Sequence, residues 1–194
     1  MMSQPWSMPP PSSASLCWAI SQGCAVSIAY AVRHPERVSH LILCGGFAHG
    51  ALKRSVEDRE RRQAMITLMR LEWGADNPAL RQMFAAKMMP DATKEQVESF
   101  NEMQQKTTSA EGAARYYATT GAIDVSDLLA GVRAPTLVLH ARGDAQVPFD
   151  AGRHLAVGIP GARFVALQGN NHVLLEQDPA TQRFFEEISL FLAK

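Results

Sequence analysis

Apolar positions fall into two different rhythms along the chain. Leu16-Cys17-Trp18-Ala19-Ile20 is a short unbroken apolar run, the pattern of a strand buried on both faces. Small residues follow, and then Ala25, Val26, Ile28, Ala29, Ala31 and Val32 recur as in a buried helix. That helix is expected to stop at Arg33-His34-Pro35, because a proline turns its predecessor away from helical geometry. Val38 to Leu43 forms a second apolar run, closed by Gly45-Gly46. Strand, helix, strand in this order is a βαβ unit and implies a parallel sheet.

Residues 52–120 carry no strand-like run. Helical spacing recurs instead, at Ala64, Leu68 and Leu71, then Leu80, Phe84 and Met88, then Val97, Phe100 and Met103. Breaks near Gly74–Pro78 and at Met89-Pro90-Asp91 divide it into three or four helices. The expected organisation is a core at residues 15–51 and 121–194, with a helical lid over 52–120 inserted after the second strand. The lid's methionines (Met65, Met69, Met83, Met88, Met89, Met103) suit an adaptable apolar pocket, and equally suit the packing between helices.

Thr136 to His140 reads as a third strand, followed by a loop with Gly143, Asp144 and Pro148 and a helix around Ala151–Val157. Arg163 to Leu167 is a fourth strand, and Gly169-Asn170-Asn171-His172 a loop. An amphipathic helix from about Pro179, burying Phe184, Phe185, Ile188, Leu190 and Phe191, closes the chain. Residues 1–14 hold four prolines and four serines and read as a disordered lead-in.

Composition narrows the function classes. At 194 residues the chain suits one domain with a small lid. Its 19 Lys plus Arg balance 19 Asp plus Glu, so there is no electrostatic case for nucleic acid or an anionic membrane surface. The basic run Lys53, Arg54, Arg59, Arg61, Arg62 alternates with Glu57, Asp58 and Glu60 and reads as a solvated helix face. Cys17, Cys24 and Cys44 have neither metal-ligand spacing nor a disulfide pattern; in apolar surroundings they read as buried free thiols. No apolar run nears the roughly 18 residues of a membrane span, and no secretory signal is evident, so a cytoplasmic location is expected.

Three polar residues stand just after predicted parallel strands: Ser21 after the first, Asp144 after the third, His172 after the fourth. Ligands of open α/β sheets sit outside the carboxyl ends of the strands, so these side chains share one edge. A serine hydroxyl is a poor nucleophile until an imidazole takes its proton, and the imidazole needs a carboxylate to fix its tautomer. Ala19-Ile20-Ser21-Gln22-Gly23 matches the nucleophile elbow G-x-S-x-G, with alanine in the first position. Each residue also has a plainer reading: Ser21 as a helix cap, Asp144 as a turn-former beside Gly143, His172 as a solvated loop residue. Asp124, Asp127 and Asp150 do not directly follow a strand, and His34, His40, His49, His140 and His154 lack a supporting motif, although His140 lies close in sequence to the Asp144 loop.

Ala19–Gly46, Pro135–Pro148 and Gly169–Pro179 resemble segments of the α/β-hydrolase fold superfamily, in particular its capped esterase- and lactonase-like members. The resemblance covers about residues 15–194. It implies a truncated α/β hydrolase: a mostly parallel sheet of about four strands flanked by helices, with a helical lid. Carried over by motif, it makes Ser21 the nucleophile, Asp144 the acid, His172 the base and the Gln22 backbone N–H an oxyanion donor. No cofactor or metal is implied, and the substrate would be a small carboxylic ester. The family's sheet has about eight strands with the nucleophile strand fifth, so the strands before Leu16 are expected to be missing. With them would go the loop that supplies the second oxyanion donor, whose loss costs roughly 10²–10³ in rate. A slow esterase limited to short activated esters is the expectation. An unprotected apolar edge at Leu16–Ile20 further implies a homodimer or larger assembly. Two alternatives stay open: a non-catalytic or degenerate hydrolase module, and haloperoxidase or C–C bond chemistry with the same triad.

Overall fold

The computed structural model describes residues 14–193, so the lead-in expected over 1–14 lies, apart from Ala14, outside the described residues. Strand β1 (Ser15–Ile20) leads into helix α1 (Gly23–Arg33), a 3₁₀ turn at Pro35–Arg37 and strand β2 (Val38–Cys44). Pro35 opens that turn, where its missing N–H leaves no bond unmade, and His34 before it is already non-helical. Four helices follow: α2 (Val56–Glu72), α3 (Ala79–Met88), α4 (Lys94–Thr107) and α5 (Ala110–Gly121). Ser55, Thr93 and Ser109 cap α2, α4 and α5, and Thr93 with Gln96 completes a reciprocal capping box. Strand β3 (Thr136–Ala141), helix α6 (Phe149–Gly158), strand β4 (Arg163–Leu167) and helix α7 (Pro179–Leu192) complete the chain.

The strands form one parallel sheet in the order β1-β2-β3-β4, with Ile42 opposite both Trp18 and Leu137. Side chains of β2 alternate between the faces. Leu41 and Leu43 join Cys24, Ile28, Val138 and Leu155 beneath α1 and α6, while Ile42 and Cys44 join Leu137, Leu139 and Phe184 beneath α7. Every residue of β3 is buried. Burying each such Leu, Ile or Phe contributes roughly 1.5–3 kcal/mol, so the sheet centre is the rigid platform of the molecule. Among the described residues no helix is long and apolar enough to cross a membrane.

Four expectations are corrected. Strand β1 is not buried on both faces. Leu16, Trp18 and Ile20 are 46%, 55% and 36% exposed, because β1 is an edge and α7 lies mainly over β3 and β4, with Phe184 meeting Trp18. On α7, Phe185 and Leu190 are exposed: the inward stripe runs through Phe184, Ile188 and Phe191, at helical spacing. Helix α2 turns inward through Ile66 and Met69, not Leu68 and Leu71, since it packs on Ala113, Ala114 and Tyr117 of α5. Met103 of α4 is likewise exposed, whereas Asn101 and Gln104 are buried and bonded to each other.

Candidate active site

The turn between β1 and α1 holds its central residue in a strained backbone conformation. Ser21 has φ 56° and is the single non-glycine residue described with positive φ. The left-handed conformation costs an L-residue roughly 1–2 kcal/mol, a cost met here by the sheet on one side and α1 on the other. The Ser21 N–H extends the β1–β2 ladder by donating to the Cys44 carbonyl (2.9 Å), while its own carbonyl accepts from Cys24 in the first turn of α1. A side chain on Gly23 would meet the Ala19 Cβ at 3.6 Å, an ordinary contact, so alanine in the elbow's first position fits without strain. Gln22 precedes the first residue of α1, and its N–H donates to no backbone carbonyl among the described residues. It therefore stands at the positive end of a helix dipole with its donor free.

Asp144 and His172 are brought into direct contact. His172 Nδ1 lies 2.7 Å from Asp144 Oδ2, with both side chains almost wholly buried. The other carboxylate oxygen accepts the N–H groups of Gln146 and Val147, each at 2.8 Å, which fixes the carboxylate plane. His172 Nε2 is buried and has no partner. With Nδ1–H donated to the carboxylate, that nitrogen carries a lone pair and is free to act as a base.

Ser21 reaches the same edge through Cys44: the next residue, Gly45, lies against His172. A Cβ on Gly45 would stand 3.1 Å from His172 Cε1, and its φ of 57° is one that side chains resist, so glycine leaves the ring its room there. Asp150, by contrast, sits exposed in the first turn of α6.

His140, which sequence reasoning placed merely near this loop, supports it. Its Nε2 is 3.0 Å from the Val147 carbonyl and 3.5 Å from Asp144 Oδ2. Burial pushes its pKa below the ordinary histidine value, with the Val147 and Asp144 contacts opposing that shift, so the ring is neutral at pH 7. Cys24 and Cys44 are free thiols packed behind the elbow, and burial raises both above the usual thiol range, which keeps them inert.

A cavity of about 200 Å³ opens at Ser21 and Gln22. Phe47, Phe84, Met88, Tyr116 and Val147 supply much of its apolar wall. Of the methionines expected to line a pocket, Met88 alone reaches this one. Arg54 and Arg62 also line it, which corrects their reading as a solvated face. The overlooked signal is spacing: Arg62 shares the inward stripe of α2 with Ile66, Met69 and Trp73, three and four residues apart. Among the described residues, no group of three or more His, Cys, Asp or Glu could hold a metal ion.

Comparison with known proteins gives the family. Residues 14–179 match the family described as alpha/beta hydrolase fold. A putative carbamate hydrolase, RutD, of Azorhizobium caulinodans is 29% identical over 170 residues, covering 81% of this chain. Two solved structures share the fold: the enol-lactonase of Burkholderia xenovorans LB400 (TM-score 0.74, 23% identity) and an esterase of Exiguobacterium antarcticum (TM-score 0.76, 18% identity). They match 94% and 92% of this chain, respectively, and 66% of their own lengths. The chain spans 57–58% of the length of the curated relatives it matches over most of its own length.

Proposed function

The chain belongs to the α/β-hydrolase family, and on that premise we propose that it is a serine hydrolase acting on short carboxylic esters. The observation that carries this reading is the state of His172: Nδ1 is held 2.7 Å from Asp144, and Nε2 is buried with no partner. Buried His140 also leaves one nitrogen, Nδ1, without a partner, but its other nitrogen meets a backbone carbonyl, whereas that of His172 is held by a buried carboxylate.

In the proposed reaction the Ser21 hydroxyl attacks the ester carbonyl carbon as His172 Nε2 takes its proton. Asp144 keeps the imidazole in the required tautomer and stabilises the imidazolium. Negative charge collecting on the carbonyl oxygen is met by the Gln22 N–H at the α1 N-terminus. Collapse of the tetrahedral intermediate expels the alcohol, which takes the proton from His172 and leaves an acyl-Ser21 ester. A water molecule then adds by the same route in reverse, releasing the acid and restoring the serine. The helices α2 to α5 act as the cap, since Met88 and Tyr116 wall the cavity above Ser21.

The test is labelling by a fluorophosphonate probe, which reacts only with an activated serine. Wild-type protein is expected to label, and Ser21→Ala and His172→Ala are each expected to abolish labelling while circular dichroism stays unchanged. Folded wild-type protein that takes up no probe would sink this proposal in favour of a non-catalytic hydrolase module.

A further inference from the structure

Both charged side chains lining the Ser21 cavity are arginines, and no carboxylate faces it. Arg62 lies over the Tyr117 ring, 3.2 Å from its centroid, and donates to the Tyr117 carbonyl (3.0 and 2.7 Å) and to Thr120 Oγ1 (2.6 Å). No carboxylate lies within ion-pair distance of it among the described residues, the nearby ion pairs being Arg54–Asp58, Arg61–Glu57 and Arg70–Glu111. Burial pushes its pKa below the ordinary guanidinium value, and the charge of Arg54 pushes the same way, against the opposing effect of Tyr117.

Arg54 follows the 3₁₀ turn Ala51–Lys53. Its Nε stands 3.5 Å from Asp58 Oδ2 without a hydrogen bond, and both Nε and Nη1 are shielded from solvent and unbonded. Donors hidden from water without an acceptor are costly, and two neighbouring guanidinium groups repel each other. A bound anion relieves that repulsion. The cavity that would hold it opens at Ser21, so the anion belongs to the molecule whose carbonyl meets that serine. The cavity suits the acyl part, because the acyl chain stays through both half-reactions whereas the alcohol leaves after the first.

We infer that the Ser21 cavity selects esters whose acyl chain ends in a carboxylate, bound by the guanidinium of Arg54 with Arg62 behind it. This rests on the serine-hydrolase reading and deepens it. Charge-assisted pairing to a planar carboxylate is the geometry a guanidinium favours over a point-charge ammonium.

The test compares two p-nitrophenyl esters of equal acyl length, the hexanoate and the mono-ester of adipic acid. They differ only in a terminal methyl against a terminal carboxylate. Wild-type kcat/KM is expected to favour the adipate mono-ester by roughly ten- to a hundredfold at low salt, a preference that shrinks as salt screens it. In Arg54→Gln the ratio of the two efficiencies is expected to fall at least about tenfold, and Arg54→Lys to recover part of it.

Equal use of the two esters by wild-type protein, or a preference for the neutral one, overturns the inference while the hydrolase reading stands. Should neither ester be cleaved, calorimetry with adipate decides. Binding that weakens in Arg54→Gln keeps the anion site although the hydrolase reading falls, and no binding to folded protein overturns the inference. If the Arg54 variants do not fold, the wild-type ratio and its salt dependence still decide between these outcomes.

Discussion

At the scale of single residues, strain and burial are concentrated behind Ser21. Gly45 holds φ 57° with His172 only 3.1 Å from where its Cβ would be. Gly45→Ala is expected to cost about 1–2 kcal/mol in backbone strain and to displace His172. The check is a urea midpoint paired with the rate of fluorophosphonate labelling, which should drop about tenfold or more. His140 makes a separate prediction. Burial lowers its pKa in the folded state from the ordinary value of 6.5, so the unfolded chain binds this proton first as the pH falls. Its effect is therefore absent well above pH 6.5 and destabilising below it, by at most about 1.4 kcal/mol per pH unit for one group. Tm measured between about pH 7.5 and 5.5 should fall more steeply in wild type than in His140→Phe; parallel slopes would refute this assignment. The placing of Ser21, Asp144 and His172 beyond strand ends was legible in the sequence, since each comes just after an apolar run and such runs end at one edge of a parallel sheet. The contribution of His140 was not, because it depends on the loop of Asp144 folding back so that the Val147 carbonyl meets its ring.

At the scale of elements, the helical segment is tied to the histidine loop by more than apolar packing. The Met88 carbonyl at the end of α3 accepts the N–H groups of His172 (2.8 Å) and Val173 (3.0 Å). Buried Asn171 accepts the Asp91 N–H at 3.0 Å and donates to Asp178 at 2.8 Å. Asn171→Ala leaves the Asp91 donor and the Asp178 carboxylate short of a partner. A loss of roughly 1–3 kcal/mol is expected, read from urea unfolding, together with slower probe labelling as His172 loosens. Packing between α2 and α5 predicts a different response. Ala114 is fully buried against the cluster of Ile66 and Met69, so Ala114→Leu should overpack that contact and cost about 1–3 kcal/mol. The periodicity of α2 is legible in the sequence, but its inward face is not. Several stripes of a helix with mixed apolar and charged residues are compatible with burial, and α5 selects the one containing Arg62.

At the scale of the whole molecule, the sheet is uncovered along one side among the described residues. Leu16, Trp18 and Ile20 present an exposed apolar row on the edge strand β1. A row of this kind, with unpaired backbone groups along its edge, is a template for association. Self-association of the chain is the expected outcome, visible as a mass above the monomer in light scattering at micromolar concentration. Trp18→Lys should shift the population toward monomer, whereas a wild-type monomer at that concentration would remove the case for an assembly.

Residue order alone was enough to dictate the parallel βαβ arrangement, the elbow at Ser21 and the strand ends that carry Asp144 and His172. These are local properties: an apolar run of strand length and the small residues around a tight turn constrain the backbone wherever the rest of the chain goes. Packing between distant elements settled which face of each helix turned inward, how far α7 reached across the sheet, and that Arg54 and Arg62 line the cavity at Ser21. Those outcomes follow from the shape of the surface each element meets, and a guanidinium is driven inward or outward by partners distant in the chain.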